Sequence, residues 1–154
     1  MTYICKNMKE MSKTNIEVTE PMVAYSSLDN GNVFMLIKAI KRGVHYSFFE
    51  RLAKSIPFTL REWSQFLHLS ERSLNRYKKD KATFSITASE KILEITMLNK
   101  YGIEVFGSQE KFNRWLNANN VALGGVKPKS LLDSSFGIQM LKDELTRIQY
   151  GILA

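Results

Sequence analysis

LREWSQFLHLSERSLNRY, residues 60–77, is the stretch that decides the fold. Thr59 stands before it, and a Thr followed three residues later by Glu62 is the pattern of a capping box. In that motif a hydroxyl and a carboxylate each satisfy a backbone N–H at a helix start. Trp63, Phe66 and Leu67 then share one side of a short helix. Ser70 is a second cap, and the helix it opens runs to about Lys79 with Leu74 and Tyr77 turned inward. Leu69 anchors the turn between the two helices, and Ser64 is small enough to let them cross closely. The expectation is a helix-turn-helix. His68 fills a turn position that often holds glycine, and His tolerates the left-handed backbone better than most residues do. The candidate DNA contacts are Ser70, Arg72, Ser73, Asn75, Arg76, Lys78 and Lys79. Arg meets guanine and Asn meets adenine through paired hydrogen bonds, while Lys and Ser hold phosphates. The plainer alternative is a helical hairpin with a solvated basic face.

Working outward, the remaining signals are helical too. Val33, Leu36, Ile37 and Ile40 sit at helical spacing before Gly43, and Phe48, Phe49, Leu52, Ala53 and Ile56 form a second stripe before Pro57. Thr87-Ala88-Ser89-Glu90 has capping-box spacing and is expected to open a long central helix through Ile92, Leu93, Ile95, Met97, Leu98, Tyr101 and Val105, ended by Gly107. Ser108 caps a helix bearing Phe112, Trp115 and Leu116. A Gly- and Asn-rich loop spans Asn117 to Lys127, Pro128 starts a short turn, and a last helix carries Ile138, Leu141, Leu145 and Ile148 before Gly151. No strand alternation appears. The expected fold class is all-α. Residues 1–30 read as an N-terminal arm, 31–82 as the helix-turn-helix domain and 83–154 as a second helical domain, with a boundary near Lys81 to Ser85 short enough for the halves to pack together.

Composition narrows the function classes. The formal net charge of +7 favours anionic partners, nucleic acid first among them. One cysteine, Cys5, excludes an internal disulfide framework and a multi-cysteine zinc site. Charges at Lys6, Lys9, Glu10, Lys13 and Glu17 interrupt any signal-peptide core, so the expected location is the cytoplasm. His45 and His68 lack metal-ligand spacing. Gly124-Gly125-Val126-Lys127 is too short for a phosphate loop and follows no strand, and the adjacent Asp143 and Glu144 read as solvated. No catalytic set, metal site or cofactor is expected, and the chain reads as a non-enzyme.

The second half carries separated short motifs in a fixed order. These are Val105-Phe106-Gly107, Trp115-Leu116, Leu123-Gly124-Gly125, Lys127-Pro128-Lys129-Ser130-Leu131-Leu132, Gly137, and Leu145 through Tyr150-Gly151-Ile152-Leu153-Ala154. Their order and spacing resemble the toxin-binding domain of the Xre/MbcA/ParS-like antitoxins, and the first half resembles the Xre-type helix-turn-helix that precedes it. The resemblance covers about Gly31 to Ala154. Individually, Trp115, Leu116, Leu123, Gly124, Gly125, Pro128, Leu131 and Leu132 read as core and loop geometry. The resemblance implies a partner: a toxin that consumes NAD, typically a RES-domain enzyme. It also implies that Lys127 and the chain end, Tyr150, Gly151, Ile152, Leu153 and Ala154, meet that toxin and block its active site, with the antitoxin as a homodimer on operator DNA. Two readings stand beside it: a plain helix-turn-helix repressor with no toxin partner, and an interaction adaptor that has lost DNA binding.

Overall fold

A computed structural model gives the architecture, and it describes residues 33–151. The segment 1–30 assigned to an arm, Cys5, and the terminal Ile152, Leu153 and Ala154 lie outside the described residues. Packing separates Met1–Leu36 from a compact unit, Ile37–Ala154. The first described helix is α1 (Val33–Arg42), which Gly43 ends by donating its N–H to the carbonyls of Ala39 at 3.0 Å and Ile40 at 3.1 Å.

The larger unit is all-α among its described residues. Helices α2 (Tyr46–Ser55), α3 (Leu60–Phe66) and α4 (Glu71–Asp80) come first, then the long α5 (Ile86–Phe106) and α6 (Gln109–Asn117). Two 3-10 turns, Val121–Leu123 and Pro128–Leu131, lead to α7 (Ser135–Gln149). The apolar stripe of α2 builds the first core. Phe49 meets Trp63 edge-to-face at 5.1 Å and Phe84 at 5.1 Å, and Phe58 meets Trp63 at 5.6 Å. Trp63 is 1% exposed and its indole N–H has no hydrogen-bond acceptor, so α3 is seated by shape alone at its middle.

Several details depart from the sequence expectation. Glu144, expected to be solvated, is buried at 8% exposure with its carboxylate held by Arg147 at 3.2 Å. The Thr87 capping box does not form. Ser85 is the cap of α5, its hydroxyl accepting from the Ala88 N–H at 3.2 Å, and Thr87 is already inside the helix. Ser89 is fully buried instead, its hydroxyl accepting from the Val44 N–H at 2.7 Å. The reason is the connection before α5. The Tyr46 N–H donates to Ala82 and the Phe84 N–H to Val44, an isolated antiparallel pairing that pulls Phe84 inward to stack on Tyr77 at 4.6 Å. The helix therefore starts two residues earlier than Thr87 would allow. Within the short connection Lys81 to Ser85, Phe84 is buried while Lys81, Thr83 and Ser85 stay exposed.

Helix α5 is central, as its broad apolar face requires. Ile92, Leu93, Ile95 and Leu98 are all buried. Gly107 ends it in the left-handed region at φ 82°, a backbone conformation that is strained for residues other than glycine. Helix α6 returns and packs Phe112 directly on Gly102, where a Cβ would collide with the ring. Asn99 and Gln109 exchange amide hydrogen bonds at 3.0 Å and join the two helices. Helix α7 lies alongside α5 in the same direction. Lys91 donates to Ser135 at 3.2 Å near their starts, and Tyr101 bonds Thr146 at 3.0 Å and Gln149 at 2.7 Å near their ends.

Candidate functional site

The helix-turn-helix assembles as its residue types dictate. Thr59 Oγ1 accepts from the Glu62 N–H at 3.1 Å, and Glu62 Oε2 accepts from the Thr59 N–H at 2.8 Å, a complete capping box. Ser64 is buried, and its carbonyl accepts from the Leu69 N–H at 2.9 Å, which closes the turn. His68 takes the left-handed conformation at φ 53°. Ser70 Oγ then accepts from the Ser73 N–H at 3.0 Å and starts α4.

Helix α4 buries Leu74 completely and half-buries Tyr77. Arg72, Asn75, Arg76 and Lys79 occupy the opposite strip at i, i+3, i+4 and i+7, all exposed. With Ser73 they line a shallow surface depression. None of these four side chains makes a hydrogen bond or ion pair with any described residue. The other three expected DNA contacts are engaged. Ser70 and Ser73 hydroxyls bond each other at 2.9 Å, and Lys78 faces Glu50 at 3.9 Å. The structure thus gathers four unpartnered polar groups, three of them cationic, on one helix face. An α-helix with such a face has the width and chemistry to enter a major groove.

The expected toxin contacts lie elsewhere. Tyr150 follows α7 and is 70% exposed, so its ring contributes little to the core; its N–H donates to Thr146 at 3.1 Å. Gly151 follows at φ 64°. Lys127 is exposed at the start of the second 3-10 turn, its carbonyl accepting from the Ser130 N–H at 2.9 Å and hydroxyl at 2.7 Å. The remaining motif residues hold the fold. Leu116, Leu123, Pro128 and Leu132 are buried and Leu131 half-buried. Trp115 is half-buried against Phe106 at 5.7 Å and Phe112 at 5.8 Å. Gly124 and Gly125 turn the exposed loop at φ 78° and 81°.

Sequence reasoning missed a set of polar ties. Lys129 is only 17% exposed in its side chain and reaches Glu62 Oε1 at 2.6 Å, Asn117 Oδ1 at 3.3 Å and the face of Phe58 at 5.1 Å. Burial pushes the Glu62 carboxyl up. Hydrogen bonds from Lys129 and the Thr59 N–H, the Lys129 charge and the Thr59 hydroxyl outweigh that and hold it below its ordinary value of 4.5. Also missed was the exposed pair Phe136, 88% exposed, and Met140, 48% exposed; their i, i+4 spacing off the Ile138–Leu141–Leu145 stripe was a usable signal. Among the described residues no cluster of three His, Cys, Asp or Glu is placed to hold a metal ion, and no helix is long and apolar enough to cross a membrane.

These features define a class: a helix-turn-helix continued into a second helical domain through a shared core. Residues 35–96 match the antitoxin Xre-like helix-turn-helix domain, and residues 102–151 match the antitoxin Xre/MbcA/ParS C-terminal toxin-binding domain. The chain belongs to this Xre antitoxin family. It is 27% identical over 143 residues to the Prs ADP-ribosylating antitoxin of a Sphingobium species, an alignment covering 87% of this chain and 90% of that protein. It is 25% identical over 114 residues to antitoxin Xre of Photorhabdus laumondii, covering 68% of this chain and 77% of that one.

Proposed function

We infer that this antitoxin neutralises an NAD-consuming toxin of the RES type by placing its chain end in the toxin's active site, and represses its own operon through α4. The carrying observation for the toxin arm is the end of α7. Tyr101 holds Thr146 and Gln149, while Tyr150 leaves the domain with its ring in solvent. An apolar run, Tyr150-Gly151-Ile152-Leu153-Ala154, then continues from a fixed point, suited to a partner's pocket. The Sphingobium relative is named for ADP-ribosylation, a transfer that draws on NAD, which supports an NAD-consuming partner. Lys127, exposed before the second 3-10 turn, serves as a separate cationic contact with the toxin.

The DNA arm rests on the unpartnered strip Arg72, Asn75, Arg76 and Lys79. A homodimer presents two such strips to two half-sites, in the domain arrangement 31–82 for DNA and 83–154 for toxin and dimer contacts. The reaction chemistry belongs to the toxin, and this chain works as a non-enzymatic binder in the cytoplasm.

The test uses the full chain, a variant ending at Tyr150, and R72A/R76A/K79A, each mixed with the toxin encoded by the neighbouring reading frame. Toxin-catalysed NAD loss is followed in vitro, together with binding to the DNA upstream of the operon. The full chain and the triple variant are expected to stop NAD loss, and the shortened chain is expected to fail. The triple variant alone is expected to lose DNA affinity. Equal inhibition by the shortened chain refutes the plug, and unchanged DNA binding by the triple variant refutes the assigned strip.

A further inference from the structure

We propose that the segment Lys129–Asp133 of the toxin-binding domain is a two-point anchor that sets the aim of the DNA-reading helix, with Lys129 and His68 as its positioning residues. The inference rests on the DNA-binding reading above and adds residues that the reading does not use.

The geometry starts from α3, the first helix of the helix-turn-helix. Its middle is held only by shape, since Trp63 packs among rings and its N–H meets no acceptor. Apolar packing of this kind is not directional, so it fixes depth better than rotation. The directional contacts are at the two ends. At the start, the two oxygens of Glu62 have separate tasks. Oε2 completes the cap on the Thr59 N–H at 2.8 Å, and Oε1 takes the Lys129 ammonium at 2.6 Å. Lys129 is fixed in turn by Asn117 Oδ1 at 3.3 Å and by the Phe58 ring. At the other end, His68 Nε2 lies 2.7 Å from the Asp133 carbonyl oxygen, across 65 residues of chain.

Both tethers come from one short stretch, which is itself pinned. The Leu131 carbonyl abuts Gly137 at the start of α7, and Leu132 is 1% exposed in the core. Helix α4 follows α3 through the Ser64–Leu69 bond and buried Leu74, so the strip Arg72, Asn75, Arg76 and Lys79 turns as α3 turns. Lys129, its side chain 17% exposed and its ammonium held by Glu62, is unsuited to meet a phosphate itself. Its effect on DNA passes through Glu62.

The test compares the full wild-type chain with Lys129→Met, which keeps the stem and removes the charge, and with His68→Gly. The glycine removes the imidazole and also the cost of the left-handed turn, so loss of fold does not explain its effect. Amide hydrogen exchange is measured across residues 60–79, and affinity is measured for a labelled duplex of the DNA upstream of the operon at several salt concentrations. Each variant is expected to speed exchange in α3 and the turn, and to weaken the duplex by roughly two- to thirtyfold. The salt dependence is expected to keep its slope, because no phosphate contact is lost. Wild-type exchange and affinity in both variants overturn the anchor. A slope reduced by about one in Lys129→Met overturns it as well, since Lys129 is then a phosphate ligand. If wild type ignores the duplex, the DNA reading fails separately, and exchange across residues 60–79 still decides whether the two tethers hold α3.

Discussion

Replacing Gly137 by alanine adds one methyl group at the third residue of α7, and the structure sets its effect against helix propensity. Alanine in a helix is ordinarily better than glycine by about 0.5–1 kcal/mol, because glycine loses more backbone freedom on folding. At Gly137, however, the added Cβ runs into the Leu131 carbonyl oxygen, and the Leu131 carbon lies 2.9 Å away. These are backbone atoms of a 3-10 turn, so no side-chain rotation relieves the clash. Either α7 lifts from the turn or the turn shifts, and both disturb Leu132, 1% exposed, and Ile138, 1% exposed. Overpacking of this kind costs about 1–3 kcal/mol, and the rigid neighbour places it toward the upper end. Subtracting the propensity gain leaves a net loss of about 2 kcal/mol, or a fall of about 4–8 °C in Tm for a chain of this size. Urea and thermal unfolding of the full chain measure it. A Gly137→Ala protein as stable as wild type, or more stable, refutes the packing argument, since helix propensity then governs the site.

The other predictions follow from the caps and polar ties. The Glu62 carboxyl has a folded pKa below its ordinary 4.5, so its contribution to stability is complete above that value and is lost as pH falls through the lower folded one. Acid unfolding curves of wild type and Lys129→Met are expected to be fully separated above pH 4.5 and to converge as pH falls through the lower folded value. Ser85→Ala removes the cap of α5 and is expected to cost about 1 kcal/mol in urea unfolding, whereas Thr87→Ala is expected to be close to neutral. The reverse order restores the Thr87 cap. Tyr101→Phe deletes the hydroxyl that holds Thr146 and Gln149. Titration against the toxin is expected to show affinity reduced roughly fivefold, the equivalent of one neutral hydrogen bond of about 1 kcal/mol, and an unchanged affinity removes Tyr101 from the positioning of the chain end.

What was legible in the sequence was whatever depends on local spacing. The Thr59–Glu62 box, the Ser70 and Ser108 caps, the Gly107 stop and the apolar stripes of α2, α5 and α7 all act within a few residues, and periodicity reveals them. The start of α5 was misread because Thr87 and Ser85 both have cap chemistry. The choice was made by the Val44–Phe84 and Tyr46–Ala82 backbone bonds, which join distant positions. The left-handed turn at His68 was readable from residue preference, but its bond to the Asp133 carbonyl was not. The candidate strip was partly legible. Seven polar residues were candidates on α4, and only the fold shows that Ser70, Ser73 and Lys78 are engaged while Arg72, Asn75, Arg76 and Lys79 are free to meet a ligand. The Lys129–Glu62 pair was invisible because capping and tertiary pairing use different oxygens of one carboxylate.

The most direct test of the central claim is co-expression of this chain with the toxin of the neighbouring reading frame, with growth and cellular NAD measured as the antitoxin is induced. Restored growth and a preserved NAD pool with the full chain, and neither with a chain ending at Tyr150, are the predicted result. Continued NAD depletion and arrest in the presence of the full chain would contradict it.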